Sequence, residues 1–247
     1  GVEIHAAHGY LLSSSLSPRI NTRRDRWGGS LENRSRLLRE VVRAVRAATG
    51  PDFVVATKLN SSDFQKGGFS HAESLEVARM LEREGIDLLE ISGGNFETPV
   101  AYQHSARKQS TIAREAYFLD YARDIKSALG IPVMVTGGFR TAAAMNSALA
   151  EGATELVGMG RPFIMDPAFP ARRLAGEIDA APAPERRFPP AEELPRGAVL
   201  NWFCHQLALR GMLGRAEPSL PVVQGHALYL DRIAEATEKL QAARRTN

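Results

Sequence analysis

The sequence is poor in cysteine and contains no long hydrophobic run. Its 247 residues include one cysteine, Cys204, which excludes an internal disulfide, an all-cysteine zinc site and a cysteine-ligated iron–sulfur cluster. No apolar run approaches the ~18 residues of a membrane-spanning helix, and no signal-peptide pattern is present. We therefore expect a protein of the reducing cytoplasm that has no membrane partner.

A large excess of either charge is also lacking. The 31 Lys and Arg residues nearly balance the 28 Asp and Glu residues, for a formal net charge of +3. No stretch interleaves basic with aromatic residues as a nucleic-acid platform would, so we expect no nucleic-acid partner. The small net positive charge is compatible with small phosphate-bearing ligands. The motifs G-x-G-x-x-G and G-x-x-x-x-G-K-[ST] are absent, so the sequence indicates neither a Rossmann nor a P-loop site.

Five short runs rich in apolar residues predict β-strands. Each run ends in polar residues or glycine, and amphipathic segments lie between successive runs. Helices between strands indicate a parallel sheet, and nearly continuous apolar character indicates that both faces are covered. The predicted strands are residues 2–5, 53–59, 88–92, 132–136 and 155–159.

Capping residues mark where the intervening helices begin. Ser30 precedes the first helix, and Ser70 and Glu73 have capping-box spacing at the start of the second. A third helix is predicted over residues 112–129, and a short fourth begins after Thr141.

The character of the sequence changes after Arg161. Residues 180–197 are rich in proline, alanine and glutamate and predict an exposed linker. We therefore divide the chain into a region of parallel strands, residues 1–165, and a linker with a helical extension, residues 166–247. The strands are typical of a TIM barrel or of another parallel α/β sheet. The helices of that extension are predicted over residues 199–213 and 226–243.

The densest group of reactive side chains follows the first predicted strand, in the sequence HAAHGY of residues 5–10. The imidazoles of His5 and His8 can donate hydrogen bonds to one carbonyl or anionic oxygen, and the phenol of Tyr10 can deliver a proton. These are candidate catalytic residues; a polar loop with satisfied histidines is the alternative. A zinc site needs a third ligand, and none is adjacent, so we predict no metal.

Lys58 lies near the end of the second predicted strand, among apolar residues. Burying an unpaired cation is costly, so this lysine needs a partner. It either points at an anionic ligand or cofactor or extends its ammonium group to solvent at the rim of the sheet. Taken alone, the residue favours the second interpretation.

Glycines follow the last two predicted strands. Gly137 and Gly138 come after the fourth, and Gly160 and Arg161 come after the fifth. Glycines let backbone N–H groups approach an anion, and an arginine adds charge. Either signal alone fits an ordinary turn, but two on successive strands predict a phosphate site, which TIM barrels often place after their last two strands.

Together these segments resemble the old yellow enzyme family, the FMN-dependent NAD(P)H:flavin oxidoreductases and ene-reductases. The likeness runs from residue 1 to about residue 165, and the motifs keep the family's order and spacing. The stretch around residues 58–69 is similar to a bacterial branch of the family. The segments that carry the likeness are GVEIHAAHGYLL (1–12), LSP (16–18), NTRRD (21–25), WGGSLENR (27–34), TGG (136–138) and GMGR (158–161).

The resemblance implies catalytic roles for three residues. His5 and His8 match the pair that bonds the activating carbonyl of the substrate and, in turn, the nicotinamide. Tyr10 matches the phenol that protonates the alpha carbon. The implied mechanism is ping-pong: NAD(P)H reduces FMN and leaves, and then an electron-poor alkene such as an enone or enoate takes a hydride from flavin N5.

The resemblance also implies which residues bind the cofactor FMN. Lys58 matches a basic residue, often arginine, at the N1/O2 edge of the flavin. Gly138, Gly160 and Arg161 match the residues that bind the FMN phosphate, and Gly137 belongs to the same segment. NAD(P)H stacks on the flavin in this family, so the missing Rossmann motif is no objection.

The family places its His-x-x-His/Asn segment at the end of the fourth strand of an eight-stranded barrel. Three earlier strands supply further flavin contacts there, whereas this sequence begins with Gly1 inside the strand that carries His5. We therefore expect an α/β fold class: a partial TIM (β/α)8 barrel, strands four to eight, with a C-terminal helical extension. We expect a small-molecule substrate, and pairing of two copies could cover the free strand edges.

Two other functions fit some of the same residues. A catalytically inactive half-barrel could bind phosphate ligands or partners. An FMN or phosphosugar barrel of another chemistry would share the phosphate site but not the histidine and tyrosine set. Convergence of His5, His8 and Tyr10 with Lys58 on one pocket would favour the oxidoreductase.

Overall fold

The computed structural model describes residues 1–94 and 118–245, which form two compact units. The first unit contains the described residues up to Met159, and the second contains those from Gly160 onward. No helix in these two ranges is both long enough and apolar enough to cross a membrane. The division into domains after residue 165 stays a prediction.

Five parallel strands form one sheet in the first unit. Each strand pairs with the next one along the chain, so the spatial order equals the sequence order. The predicted parallel α/β sheet is confirmed, and every predicted strand is present to within two residues at either end. The strands are β1 (Val2–Ala6), β2 (Val55–Asn60), β3 (Leu88–Ser92), β4 (Val133–Thr136) and β5 (Leu156–Gly158).

Helices follow the strands of this unit, and their predicted caps are confirmed. The Ser30 hydroxyl accepts the N–H of Asn33, and the Thr141 hydroxyl accepts the N–H of Ala144. Gly50 ends the first long helix with a positive φ of 79°, which glycine adopts more readily than other residues because it has no Cβ. The helices are α1 (Leu11–Leu16), α2 (Leu31–Thr49), α3 (His71–Arg83), α4 (Leu119–Ala128) and α5 (Ala142–Ala150).

The capping box at the start of α3 also connects two helices. The Ser70 hydroxyl accepts the Glu73 N–H at 3.2 Å, and the Glu73 carboxylate accepts the Ser70 N–H at 3.0 Å. The same carboxylate pairs with the guanidinium of Arg34 on α2, whose side chain is almost completely buried. A local capping motif therefore also fixes α2 against α3.

The apolar face of the sheet packs against these helices. Successive side chains of a strand point to opposite faces, and one set is apolar and buried. Helices α2 and α3 contact β2, and α4 contacts β4. The buried apolar strand residues on this face are Ile4, Ala6, Val55, Leu59, Leu89, Ile91, Val133 and Val135, and the buried Thr57 lies on it as well.

The second unit is helical. Its helices are α6 (Arg161–Met165), α7 (Phe169–Leu174), α8 (Ala198–Leu213) and α9 (Val222–Arg245). Trp202 on α8 is fully buried, with its ring centroid 5.0 Å from that of Phe188 and 4.9 Å from that of Phe203. A Cβ on Gly225 would lie 2.5 Å from Trp202 Cδ1, so a glycine lets α9 approach α8 closely.

Three sequence expectations need correction. Helix α1 lies where only a polar connection was expected. Its serine hydroxyls find hydrogen-bond partners nearby: the Ser15 hydroxyl, for example, donates to the Leu12 carbonyl oxygen at 2.7 Å. The expected exposed linker at 180–197 contains two 3₁₀ turns and the buried residue Glu185. Helix α9 begins four residues earlier than predicted. Residues 112–117 of the predicted third helix lie outside the described residues.

We predict that Ser70→Ala lowers the free energy of unfolding by about 1 kcal/mol, because the first turn of α3 loses its side-chain acceptor. Ser70→Asp keeps an acceptor at the same position and serves as the control. Urea unfolding followed by circular dichroism measures both. Equal stability of Ser70→Ala and the unmodified chain would contradict this role for the cap.

Candidate active site at the carboxyl end of the sheet

The chain turns sharply directly after β1. His8 and Gly9 both have a left-handed backbone, with φ of 63° and 80°, and a histidine in this region carries a conformational cost. The His8 N–H donates to Asn60 Oδ1 at 3.0 Å, and the Gly9 N–H donates to Ser13 Oγ at 3.2 Å. These two hydrogen bonds hold the turn, which brings the next residue, Tyr10, back toward the end of β1.

The three candidate catalytic side chains lie together beside this turn. The ring centroid of His5 is 5.3 Å from that of His8 and 5.2 Å from that of Tyr10. His8 Nε2 is 2.7 Å from the hydroxyl oxygen of Ser92, which ends β3. The structure therefore brings the predicted trio together at the carboxyl end of the sheet and adds Ser92 to it.

Polar side chains of four neighbouring strands share the second face of the sheet. The register places His5, Lys58 and Glu90 side by side on β1, β2 and β3. Because side chains two residues apart point the same way, the polar residues at alternate positions from these three lie on this face too, whereas Thr57 on β2 shares the opposite face with Ile4 and Leu89. The full set, which we call the polar face, is Glu3, His5, Lys58, Asn60, Glu90, Ser92 and Thr136.

Lys58 forms an ion pair with Glu90. Its Nζ is 2.6 Å from Glu90 Oε1, and the two side chains are 18% and 4% exposed. The ammonium group therefore pairs within the polar face, and the interpretation in which it extends into solvent is wrong. A buried pair of this kind cannot lose one member cheaply, because the other charge would remain without compensation.

The two imidazoles are neutral at neutral pH. Burial, with Lys58 as the second cause, lowers the pKa of His5. Burial, followed by the positive charges of Lys58 and His5, lowers the pKa of His8 to about 4. A neutral imidazole has one donor and one acceptor nitrogen, so His8 can use one nitrogen on Ser92 and still present the other. No group of three metal-ligating side chains occurs within the described ranges.

The residues predicted to bind phosphate fall in both units. Gly137 and Gly138 follow β4 in the first unit and have φ of 134° and 91°, conformations suited to glycine. Gly160 and Arg161 begin the second unit. There, Arg161 Nη1 is 3.6 Å from a carboxylate oxygen of the buried Glu185.

Five residues of the polar face were not among the predicted site residues: Glu3, Asn60, Glu90, Ser92 and Thr136. Glu90 stands in the middle of an apolar strand just as Lys58 does. The observed register pairs Asn60 with Ser92 and therefore Lys58 with Glu90. The second strand was predicted to end one residue earlier, at residue 59, and aligning that end with Ser92 would have paired Lys58 with Ile91. Ser92 lies two residues further along β3, and thus on the same face.

The chain belongs to the NADH:flavin oxidoreductase / NADH oxidase family, whose model matches residues 1–179. It is 33% identical over 219 residues to the NADH-dependent flavin oxidoreductase iliE of Neonectria sp. (strain DH2), covering 86% of this chain and 28% of that protein.

Solved structures show the same likeness. A 2-naphthoyl-CoA reductase in complex with 2-naphthoyl-CoA matches with a TM-score of 0.66 at 34% identity, over 73% of this chain and 27% of that one. The old yellow enzyme homologue of Zymomonas mobilis matches with a TM-score of 0.57 at 26% identity, over 75% of this chain and 49% of that one. The chain thus spans between about a quarter and half of the length of these proteins.

We predict that protonation of His8 destabilises the fold at acidic pH. Its pKa of about 4 in the folded chain lies below the ordinary value of 6.5, so the unfolded chain binds more protons between these values. The free energy of unfolding therefore falls as the pH drops from 6.5 toward 4, by on the order of 2 kcal/mol from this residue. Urea unfolding between pH 4 and 7 should show a smaller fall for His8→Asn, which does not titrate. Parallel curves for the two proteins would contradict the assignment.

Proposed function

We propose that this chain supplies strands four to eight of the TIM barrel of an FMN-dependent oxidoreductase. The whole enzyme would transfer a hydride from NAD(P)H through the flavin to an electron-poor alkene. The observation that carries the proposal is the grouping of His5, His8 and Tyr10 at the end of the face that holds Lys58. Membership of the family supports the flavin, and the name of the Neonectria relative supports NADH as a donor.

The residues present fit a bound FMN, which would supply the hydride chemistry. Lys58 provides an ammonium group in register with His5, and a cation there suits the anionic edge of a reduced flavin. Gly137 and Gly138 have positive φ, and without side chains they would let a phosphate approach their backbone N–H groups. We therefore assign Lys58, Gly137 and Gly138 to cofactor binding. Gly160 and Arg161, which begin the second unit, are assigned to it from the resemblance to the family's phosphate motif alone.

His5, His8 and Tyr10 bind and protonate the acceptor in this proposal. His5 and His8 donate hydrogen bonds to the carbonyl oxygen of the acceptor and stabilise the negative charge that develops there. Because both rings are neutral, they act as hydrogen-bond donors and not as fixed charges. His8 is positioned by Ser92, at 2.7 Å from its Nε2. The phenol of Tyr10 delivers the proton to the alpha carbon.

Binding of FMN and of a phenolic ligand tests this function. FMN added to the purified chain should bind saturably, and p-hydroxybenzaldehyde should then give a long-wavelength charge-transfer band. His5→Ala combined with His8→Ala should retain FMN and lose the band, because the phenolate loses both donors. His226→Ala, in the second unit, is the control.

An unchanged phenol titration in the double variant would contradict the role of the histidines. Failure of the unmodified chain to bind FMN would contradict the assignment of Lys58, Gly137 and Gly138 as sufficient to hold the cofactor.

Arg161→Ala should weaken FMN binding about 10- to 100-fold, because a charge-assisted hydrogen bond to the phosphate contributes about 1.5–3 kcal/mol. Arg196→Ala, which removes an exposed arginine of the same unit, is the matched control. Fluorescence quenching of FMN gives both dissociation constants. Equal values for the two variants would remove Arg161 from the phosphate site.

A further inference from the structure

Two residues at the carboxyl end of the sheet have a backbone conformation that side chains disfavour. Within the described ranges, His8 and Phe64 are the residues other than glycine with positive φ, at 63° and 55°. Phe64 lies in the loop that follows β2, residues 61–70, which we call the β2 loop. Such residues persist only where neighbouring groups hold them. His8 is bonded to Asn60, and Phe64 directly follows Asp63, so the Asn60 and Asp63 side chains are the groups to consider.

The side chain of Asn60 connects three segments at this end of the sheet. Asn60 ends β2 and is 1% exposed. Its Oδ1 accepts the His8 N–H at 3.0 Å, and its Nδ2 donates to Asp63 Oδ1 at 3.1 Å and to Gly94 O at 3.0 Å. Nδ2 carries two hydrogens, so these bonds use the whole amide. The turn after β1, the β2 loop and the segment after β3 therefore meet at one buried side chain.

The partner of Asn60 in the β2 loop is a buried carboxyl group. Asp63 is 2% exposed, and both of its oxygens accept: Oδ1 from Asn60 Nδ2, and Oδ2 from the Phe69 N–H at 2.9 Å. The Asp63 N–H donates in turn to Phe69 O at 2.9 Å, which closes the base of the loop. A Cβ on Gly68 would lie 3.0 Å from Asp63 Oδ2, so a glycine there leaves room for the carboxyl group.

These partners determine which way the Asn60 amide points. An amide has a donor end and an acceptor end, and its orientation follows from the groups around it. A rotated amide would set its N–H groups against the His8 N–H. It would also set its oxygen against Asp63 Oδ1 and Gly94 O, and buried polar groups left without a partner are costly. Asp63 therefore keeps the acceptor end of Asn60 on the His8 N–H.

The turn held in this way carries candidate catalytic side chains. The His8 ring is bonded through Nε2 to Ser92 Oγ at 2.7 Å. The backbone of Ser92 is itself tied to the β2 loop, because the Ser61 N–H donates to Ser92 O at 2.7 Å. Without the bond to Asn60, the backbone of His8 could relax out of the left-handed region. Its ring and the following residue, Tyr10, would then lose their positions.

We propose that Asn60 and Asp63 form a positioning pair that fixes the backbone of His8 and thereby orients the His8 ring and Tyr10 in the candidate active site. Both residues act through the turn after β1. The pair should therefore affect binding of the acceptor and not binding of FMN. This effect on ligands rests on the proposed function, whereas the hold on the His8 backbone does not depend on it.

Amide hydrogen exchange measured by NMR tests the hold on the turn. In the unmodified chain, the His8 N–H should exchange at least 100-fold more slowly than in an unstructured peptide, because it is bonded inside the fold. Asn60→Leu removes its acceptor, and Asp63→Ala releases the Asn60 amide. We expect about tenfold faster exchange of this N–H in each variant, the size of effect that loss of one hydrogen bond produces. Asp63→Asn still offers an oxygen to Asn60 and should keep the exchange slow.

Asp87→Ala is the matched control for a general loss of stability. The Asp87 carboxylate accepts the Val55 N–H at 2.8 Å, at the opposite end of β2. Its loss should leave exchange of the His8 N–H unchanged. An unprotected His8 N–H in the unmodified chain would overturn the pair even if neither Asn60→Leu nor Asp63→Ala folds. Equal acceleration in Asp63→Ala and Asp87→Ala would overturn it as well.

Ligand titration provides the second readout. Asp63→Ala should bind FMN as the unmodified chain does and p-hydroxybenzaldehyde about tenfold more weakly, because the His8 ring and Tyr10 are no longer held. Asp63→Asn should recover most of the phenol affinity, and Asp87→Ala should change neither dissociation constant. Equal loss of FMN and phenol binding in Asp63→Ala would indicate general damage and contradict positioning.

The two readouts separate the pair from the proposed function. If the unmodified chain binds both ligands and Asp63→Ala binds the phenol equally well, the pair has no role in the site and the proposed function stands. If exchange of the His8 N–H accelerates in Asn60→Leu and Asp63→Ala but the unmodified chain binds no FMN, the hold on the turn is supported and the cofactor assignment is contradicted.

Discussion

Alternation of side chains along parallel strands is the constraint on which the rest of this structure depends. It lets the same strands bury an apolar face against α2, α3 and α4 and present a polar face on the other side. In-register pairing then aligns residues that are far apart in sequence: His5, Lys58 and Glu90 become neighbours although they come from three strands. A shift of one residue in any strand would point its polar side chain into the apolar core.

The interactions that hold the site also hold the fold. Lys58 and Glu90 would each be costly to bury alone, and together they form a pair that joins β2 to β3. Asn60, two residues beyond Lys58, accepts the backbone N–H of His8 and so maintains the left-handed turn. Conformational cost at that turn is thus offset by a side chain of the same polar face, which is how a strained residue persists at a functional site.

Much of the first unit was predictable from the sequence because its signals are local. Apolar runs gave the strands, and Ser30, Ser70 and Thr141 marked the helix starts that the structure confirms. The grouping of His5, His8 and Tyr10 was predictable because six residues of chain contain all three. The short helix α1 was missed because three serines are poor helix formers, and their local hydrogen bonds become visible only in the folded chain.

Glu3 and Glu90 were missed for a different reason. The role of a glutamate inside an apolar strand depends on which residues lie beside it on the neighbouring strands. The register determines these neighbours, and register is a property of the folded sheet. The partner of Lys58, Glu90, lies 32 residues away in the sequence, and Glu3 joins them on one face only through the pairing of β1 with β2. Likewise, the buried partner of Arg161, Glu185, lies in a segment whose composition predicts an exposed linker.

His5 on β1 and His8 and Tyr10 after it are proposed to form an oxygen-binding site beside a flavin. A crystal structure of the chain with FMN and p-hydroxybenzaldehyde tests it most directly. The account predicts the phenolate oxygen within hydrogen-bond distance of ring nitrogens of both His5 and His8, with Lys58 at the edge of the flavin. A phenolate bound away from the two rings, or a flavin that does not contact Lys58, would contradict the account.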